Sequence, residues 1–153
     1  MGKVTHDQAN LMLRLYDLRR EPRMREARDW YFGKFHPTSL EDMSKYPMTS
    51  PESASMRMLI SYWEMAASIV NRGLIDEGFF FENTGEQWMV WERIKAFVPA
   101  MRARSKNPHH YGNLEKHVKK LEAWRKKRAP GMAEAMRQMM AQMQQAAPKT
   151  FGD

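Results

Sequence analysis

The sequence predicts an all-α fold: a single-domain helical bundle of about six to seven helices that ends in a methionine-rich amphipathic helix. Apolar residues recur at spacings of three and four along most of the chain, whereas no segment alternates apolar and polar residues over the length of a strand. A length of 153 residues favours one domain. Apolar residues make up 42% of the chain and include five Trp and seven Phe, which is sufficient to fill a core.

The first two predicted helices flank Pro22. We expect the first helix over residues 5–20. Its buried stripe consists of Leu11, Leu15 and Leu18. Pro22 ends this helix, because proline disfavours helical geometry at the preceding residue, and it can begin the next one. The second helix carries apolar side chains at Met24, Ala27, Tyr31 and Phe35, and a connector with a short helical turn at residues 40–44 follows it.

The third predicted helix has the clearest boundaries. Ser50-Pro51-Glu52 provides a capping hydroxyl, a first-turn proline and a carboxylate, and Asn71-Arg72-Gly73 supplies a stop with a glycine that can adopt the left-handed conformation. Its polar side chains occupy an arc of about 100° on a helical projection. They are Arg57, Ser61, Glu64, Ser68, Asn71 and Arg72. The remaining circumference is apolar and is centred on Trp63, so we expect this helix to lie at the middle of the bundle.

Local signals define the next two helices. Asp76 can cap a short phenylalanine-rich helix. Thr84 and Gln87 fit a capping box, in which a hydroxyl and an amide satisfy each other's backbone N–H groups, and they open a fifth helix. Pro99 should bend that helix near Lys95, because its ring removes one backbone hydrogen bond.

Proline motifs also delimit the last two helices. Asn107-Pro108 repeats the pattern of a capping residue followed by proline and predicts the start of a sixth helix. Ala129-Pro130-Gly131 ends that helix and separates a final one over residues 132–146. We therefore divide the chain into a helical bundle over residues 1–128 and a methionine-rich amphipathic extension over residues 129–153.

Several separated motifs carry a family resemblance. They are Ser61-Tyr62-Trp63-Glu64, the segment from Asn71 to Glu77, Trp91 with Ile94, Pro99, Arg102, and Asn107-Pro108 followed by Tyr111 and Leu114. Over about residues 55–120 the chain resembles an uncharacterised bacterial family of small helical proteins, a domain of unknown function. Members of that family often carry a membrane helix before this region, and this sequence departs from the pattern because it has none. The resemblance implies no assigned activity.

Composition excludes several classes of protein. The chain has no cysteine, which excludes a disulfide scaffold, a thiolate metal site and a cysteine nucleophile. It has no apolar run of about 18 residues, so we expect no transmembrane helix. Its first ten residues lack the apolar centre of a signal peptide. We therefore expect a cytoplasmic protein.

Catalytic chemistry has little support in the sequence. No nucleophile elbow, phosphate-binding glycine loop or zinc-protease motif is present, and we expect no catalytic, cofactor-binding or metal-binding residues. His110 and His117 share a predicted helix face about 10 Å apart and are interpreted as surface or interface histidines. Glu64 should form an internal pair with an arginine. An enzyme that uses Glu64 or the carboxylates around Asp76 is the least favoured function.

Positive charge is concentrated in the last third of the chain. Residues 1–98 hold 13 basic and 14 acidic residues, whereas residues 99–153 hold 12 and 4, which accounts for the net charge of +7. Five lysines of the sixth helix lie opposite its apolar stripe: Lys116, Lys119, Lys120, Lys126 and Lys127. Arg125 and Arg128 extend this basic face. Nucleic acid or an anionic membrane surface could bind there, although an exposed helix also uses lysines simply to remain solvated.

Methionines line one arc of the final helix. They are Met132, Met136, Met139, Met140 and Met143. Methionine is flexible and polarisable, so this stripe suits an adaptable contact surface, whereas Cu(I) binding by thioethers is a less favoured alternative. We therefore expect a non-enzymatic interaction or scaffold protein that engages a protein partner or a second copy of itself through its C-terminal helices. Binding of nucleic acid or an anionic surface through the lysines is the alternative function.

Overall fold

The computed structural model describes residues 2–146, and this part of the chain contains nine α-helices and no strand. The helices are α1 (His6–Arg20), α2 (Pro22–Gly33), α3 (Leu40–Ser44), α4 (Pro51–Asn71), α5 (Glu77–Asn83), α6 (Glu86–Ile94), α7 (Val98–Ser105), α8 (Gly112–Arg128) and α9 (Met132–Ala146). The predicted all-α single domain is confirmed. The count exceeds the expected six to seven, because residues 40–44 form a helix and the predicted fifth helix is divided in two.

Helix α4 is the centre of the bundle and packs against both α2 and α8. Its start is as predicted: the Ser50 hydroxyl accepts a hydrogen bond from the Ser53 amide at 3.1 Å, and Pro51 is the first helical residue. Its end is also as predicted, since Gly73 follows the helix with φ +79°. Trp63 is 1% exposed within the apolar face. The central position of this helix is therefore confirmed.

The predicted apolar faces of the first two helices differ in outcome. Leu15 of α1 is buried, but Leu18 is 53% exposed, so the stripe expected on this helix does not extend to its end. Helix α2 has the predicted face. Its buried side chains and those of the following turn are Met24, Ala27, Tyr31 and Phe35.

Arg93, on α6, caps the C-terminal end of α2. Its Nη1 atom donates hydrogen bonds to the backbone carbonyls of Tyr31, Phe32 and Phe35, at 2.7 Å in the case of Phe35. The last carbonyls of a helix have no partner within it, and a cation there also complements the helix dipole. A side chain from a distant part of the sequence thus holds α2 and α6 together.

Two helix boundaries around α6 differ from those predicted. The prediction of a capping box at Thr84 and Gln87 is wrong. The Thr84 hydroxyl accepts a hydrogen bond from the side-chain amide of Gln87 at 2.9 Å, and Gly85 is the N-cap residue of α6. The predicted bend at Pro99 is instead a break between two helices. Helix α6 ends at Ile94, and Pro99 lies in the first turn of α7, where a missing N–H group costs nothing.

The predicted start of α8 at Asn107-Pro108 is also wrong. Those residues form a turn, and the helix begins at Gly112 after Tyr111, which has φ +57°. Glu64 of α4 caps this start, because its carboxylate accepts hydrogen bonds from the backbone amides of Asn113 at 3.1 Å and Leu114 at 2.7 Å. An anion at the positive end of a helix is stabilising, so Glu64 positions α8.

Across residues 2–146, no helix combines the length and the apolar character that a membrane span requires.

Candidate interaction surface on α8 and α9

Helix α9 lies against the bundle through part of its methionine stripe. Met136 and Met140 are half-buried and pack on the hydrophobic core. Arg137 adds polar contacts, since its guanidinium lies 3.4 Å from the Glu92 carboxylate of α6 and 3.9 Å from the Glu122 carboxylate of α8. These contacts fix which side of α9 faces the bundle.

The other three methionines of the stripe face outward. Met132 is 38% exposed, Met139 is 60% exposed and Met143 is 64% exposed. We call these three residues the methionine row. Successive positions of the row differ in direction by about 20–40° around the helix, so the three side chains form one line. The sequence predicted this apolar arc, and the structure divides it into a packed edge and an exposed edge.

The surface beside the methionine row is almost free of charge. The exposed neighbours on that side of α9 are Ala135, Gln138 and Gln142. The two charged residues of α9 are already engaged: Arg137 contacts carboxylates of the bundle, and Glu134 accepts a hydrogen bond from the Gln138 side chain at 3.3 Å. An apolar line with uncharged borders is therefore exposed on a strongly basic chain.

The predicted lysine face is present but partly neutralised. Lys120 is paired with Glu77 of α5, and Lys119 with Glu115 at 2.8 Å. The other three lysines are exposed, and no carboxylate within residues 2–146 lies within 4.0 Å of them. They are Lys116, Lys126 and Lys127.

The two arginines expected to extend the lysine face occupy different environments. Arg128 is exposed, lies 4.5 Å from the ring centre of Trp124 and pairs with Glu82 at 3.2 Å. Arg125 is only 7% exposed, so its assignment to the surface is wrong. The sequence carried the signal, because position 125 continues the spacing of Leu114, Val118 and Leu121 on the buried face of α8.

The carboxylates considered for catalysis all make structural contacts. Glu64 caps α8 instead of pairing with an arginine, so that expectation is wrong. Asp76 caps α5 by accepting from the Phe79 amide at 2.9 Å. Glu86 pairs with Arg28 at 2.6 Å and also accepts a hydrogen bond from the indole N–H group of Trp63 at 3.1 Å.

His117 is a core residue. It is 1% exposed, and its ring packs edgewise against Phe80 at 5.5 Å and Phe81 at 5.2 Å between centres. Burial, with a smaller contribution from Lys120, lowers the pKa of His117 to about 4. The interpretation as a surface or interface histidine is therefore wrong for His117, and His110 lies in the turn before α8. No group of three or more His, Asp or Glu side chains that could hold a metal occurs in the described part of the chain.

A family model described as a domain of unknown function (DUF4760) matches residues 4–121, and the chain belongs to that family. This match confirms the family resemblance, which the sequence motifs carry over about residues 55–120, and extends it toward the N-terminus. The end of α8 and the whole of α9 lie outside the matched residues. No curated protein and no solved structure matches the chain.

Proposed function

We propose that this member of the DUF4760 family is a self-associating scaffold protein, in which α9 pairs with α9 of a second copy through the methionine row. The observation that carries the proposal is the exposure of Met132, Met139 and Met143 as one line on a helix that is already docked to its bundle. A surface of this kind needs no folding transition before it binds, so little conformational entropy is lost on association.

Charge favours a second copy as the partner. The chain carries +7, so two copies repel each other over most of their surfaces. The outer side of α9 avoids this repulsion, because its exposed residues beside the row are alanine and glutamine. A two-fold interface presents the same patch from both subunits, and an uncharged patch is compatible with itself.

The expected interface is weak. Two rows bring six methionines together, and burial contributes roughly 1.5–3 kcal/mol for each fully buried side chain. The opposing cost of association is about 4–15 kcal/mol. The two are comparable, so we expect a dimer that dissociates on dilution.

Sedimentation equilibrium over a range of concentrations tests the proposal. The test variant replaces the methionine row with glutamine (Met132→Gln, Met139→Gln and Met143→Gln). The control variant makes the same change at Met48 and Met65, which are 79% and 44% exposed outside α9. We expect concentration-dependent dimers for the natural chain and the control, and a monomer for the test variant with an unchanged circular dichroism spectrum. Equal masses for all three proteins contradict self-association through α9.

A second candidate function is the binding of a polyanion such as nucleic acid. Its support is that Lys116, Lys126 and Lys127 are exposed on α8 and, among residues 2–146, have no carboxylate within ion-pair distance. Replacement of these three by glutamine should shorten retention on a heparin or DNA column and reduce the salt dependence of binding. A control that replaces Lys3, Lys34 and Lys106 makes the same change in net charge on other surfaces. Equal retention of both variants contradicts this function.

A further inference from the structure

Arg125 is a buried cation that forms no ion pair or side-chain hydrogen bond within residues 2–146. It is 7% exposed, and in this part of the chain its inaccessible Nη1 atom has no hydrogen-bond partner. Among residues 2–146 no carboxylate lies within 4.0 Å of its guanidinium. The group instead lies 5.8 Å from the ring centre of Trp88. A buried charge is costly unless it is paired, and arginine cannot lose its proton. An anion bound beside Arg125 would therefore stabilise the buried guanidinium.

A cavity of about 340 Å³ adjoins Arg125 between α6, α8 and the start of α9. Lys126 and Arg137 also line it. Arg137 is paired with Glu92 at 3.4 Å, whereas Lys126 has no carboxylate within 4.0 Å among residues 2–146. Two carboxylates line it as well, and both have partners: Glu122 accepts from the Trp88 indole at 2.9 Å, and Glu134 accepts from Gln138 at 3.3 Å. The cavity therefore offers two cations without an ion pair in the described residues, Arg125 and Lys126, together with carboxylate oxygens that can accept further hydrogen bonds.

The N-terminal end of α6 adds to the positive potential on Arg125. Gly85 is the N-cap residue and has no side chain to cap the helix. The Nη2 atom of Arg125 lies 2.9 Å from the position that a Cβ atom at Gly85 would occupy. A larger residue at position 85 would therefore displace the end of the Arg125 side chain, whereas the φ of −144° at Gly85 does not itself require glycine. The positive end of the helix dipole and the guanidinium are thus close together, so the dipole does not offset the buried charge of Arg125.

We propose that this cavity binds the phosphate group of a small phosphorylated molecule. Arg125 is the main phosphate ligand, and Lys126 and Arg137 supply further positive charge. Hydroxyl groups on the body of the ligand donate to Glu122 and Glu134. The space is bounded by three helices and admits a phosphate with a body of a few carbon atoms, which favours a soluble molecule over a membrane surface.

Isothermal titration calorimetry of the full chain at fixed chloride concentration tests this site. The probes are glycerol 3-phosphate, inorganic phosphate, glycerol, and vesicles that contain phosphatidylglycerol, whose headgroup has the same chemistry. We expect saturable one-to-one binding of glycerol 3-phosphate, weaker binding of inorganic phosphate, and no binding of glycerol or vesicles.

The variants are Arg125→Gln, the matched exposed control Arg104→Gln, and Gly85→Ala, which displaces the guanidinium and keeps its charge. Affinity for glycerol 3-phosphate should fall by at least about tenfold in Arg125→Gln, fall less in Gly85→Ala, and stay unchanged in the control. Without phosphate, Arg125→Gln should melt no lower than the natural chain, because no ion pair is lost. Absence of saturable binding, equal affinity of Arg125→Gln and the control, or vesicle binding that depends on Arg125 would each overturn the proposal.

Discussion

His117 should make the stability of the fold depend on pH. Its imidazole is packed between Phe80 and Phe81 and is 1% exposed. Burial first, and Lys120 second, lower the pKa of His117 to about 4 in the folded state. An unfolded chain restores the ordinary pKa of about 6.5. The packing of α5 against α8 therefore requires the neutral form of the His117 ring.

The direction of the effect follows from proton binding. Between about pH 6.5 and pH 4, the unfolded chain binds a proton at His117 and the folded chain does not, so stability rises with pH. The contribution is complete above pH 6.5 and is lost as the pH falls through this window. A pKa difference of this size corresponds to about 3 kcal/mol, a large share of the roughly 5–15 kcal/mol that stabilises a domain. His36 contributes with the same sign, because burial and Arg93 lower its pKa.

Urea unfolding followed by tryptophan fluorescence measures this effect between about pH 7 and pH 4. We compare the natural chain with His117→Gln and with the exposed control His109→Gln. The carboxylates and His36 affect all three proteins alike, so the difference in slope isolates His117. The natural chain and the control should lose about 3 kcal/mol more than His117→Gln over this range. Parallel losses in all three proteins would refute the reasoning, whatever the stability of His117→Gln at neutral pH.

Three further substitutions test the packing, each by urea unfolding at neutral pH. Trp63→Ala should lower the free energy of unfolding by about 3–5 kcal/mol, because the side chain is 1% exposed at the centre of the core, and an unchanged midpoint would contradict the central role of α4. Glu64→Gln should cost about 1–2 kcal/mol, since the charged cap on the Asn113 and Leu114 amides is weakened; no loss would show that the cap is dispensable. Arg93→Met should cost about 1–3 kcal/mol, as it leaves the last carbonyls of α2 unpaired, and a neutral result would contradict the capping role.

The helix boundaries that sequence analysis predicted correctly are those set by neighbouring residues. The Ser50 hydroxyl binds the amide of Ser53, three residues away, and Gly73 adopts its left-handed conformation directly after α4. Such signals depend on short-range geometry and are visible in any sequence window. The apolar face of α2 is equally local, since it follows from the helical period alone.

Two helix ends that sequence analysis did not explain are capped by distant residues. Glu64 caps the start of α8 from a position 50 residues before Leu114 in the sequence. Arg93 closes α2 from 58 residues beyond Phe35. Asn107-Pro108 has the local pattern of a helix start, but the carboxylate that stabilises α8 lies near Gly112. A charged residue in the middle of a helix therefore indicates that a partner exists and does not identify the partner.

The same limit applies to the candidate surface. The helical period placed five methionines on one arc of α9, but it could not show which of them face the bundle. In the structure, Met136 and Met140 pack on the core and Arg137 contacts Glu92 and Glu122, and with α9 in this orientation the methionine row remains exposed.

Arg137 also lines the cavity beside Arg125, so the proposed interface and the proposed phosphate site share one residue. Their tests remain separate, because the methionine row does not line the cavity and Arg125 does not lie on α9. A loss of dimers after substitution of the row, with phosphate binding intact, would therefore assign the two properties to opposite sides of the same helix.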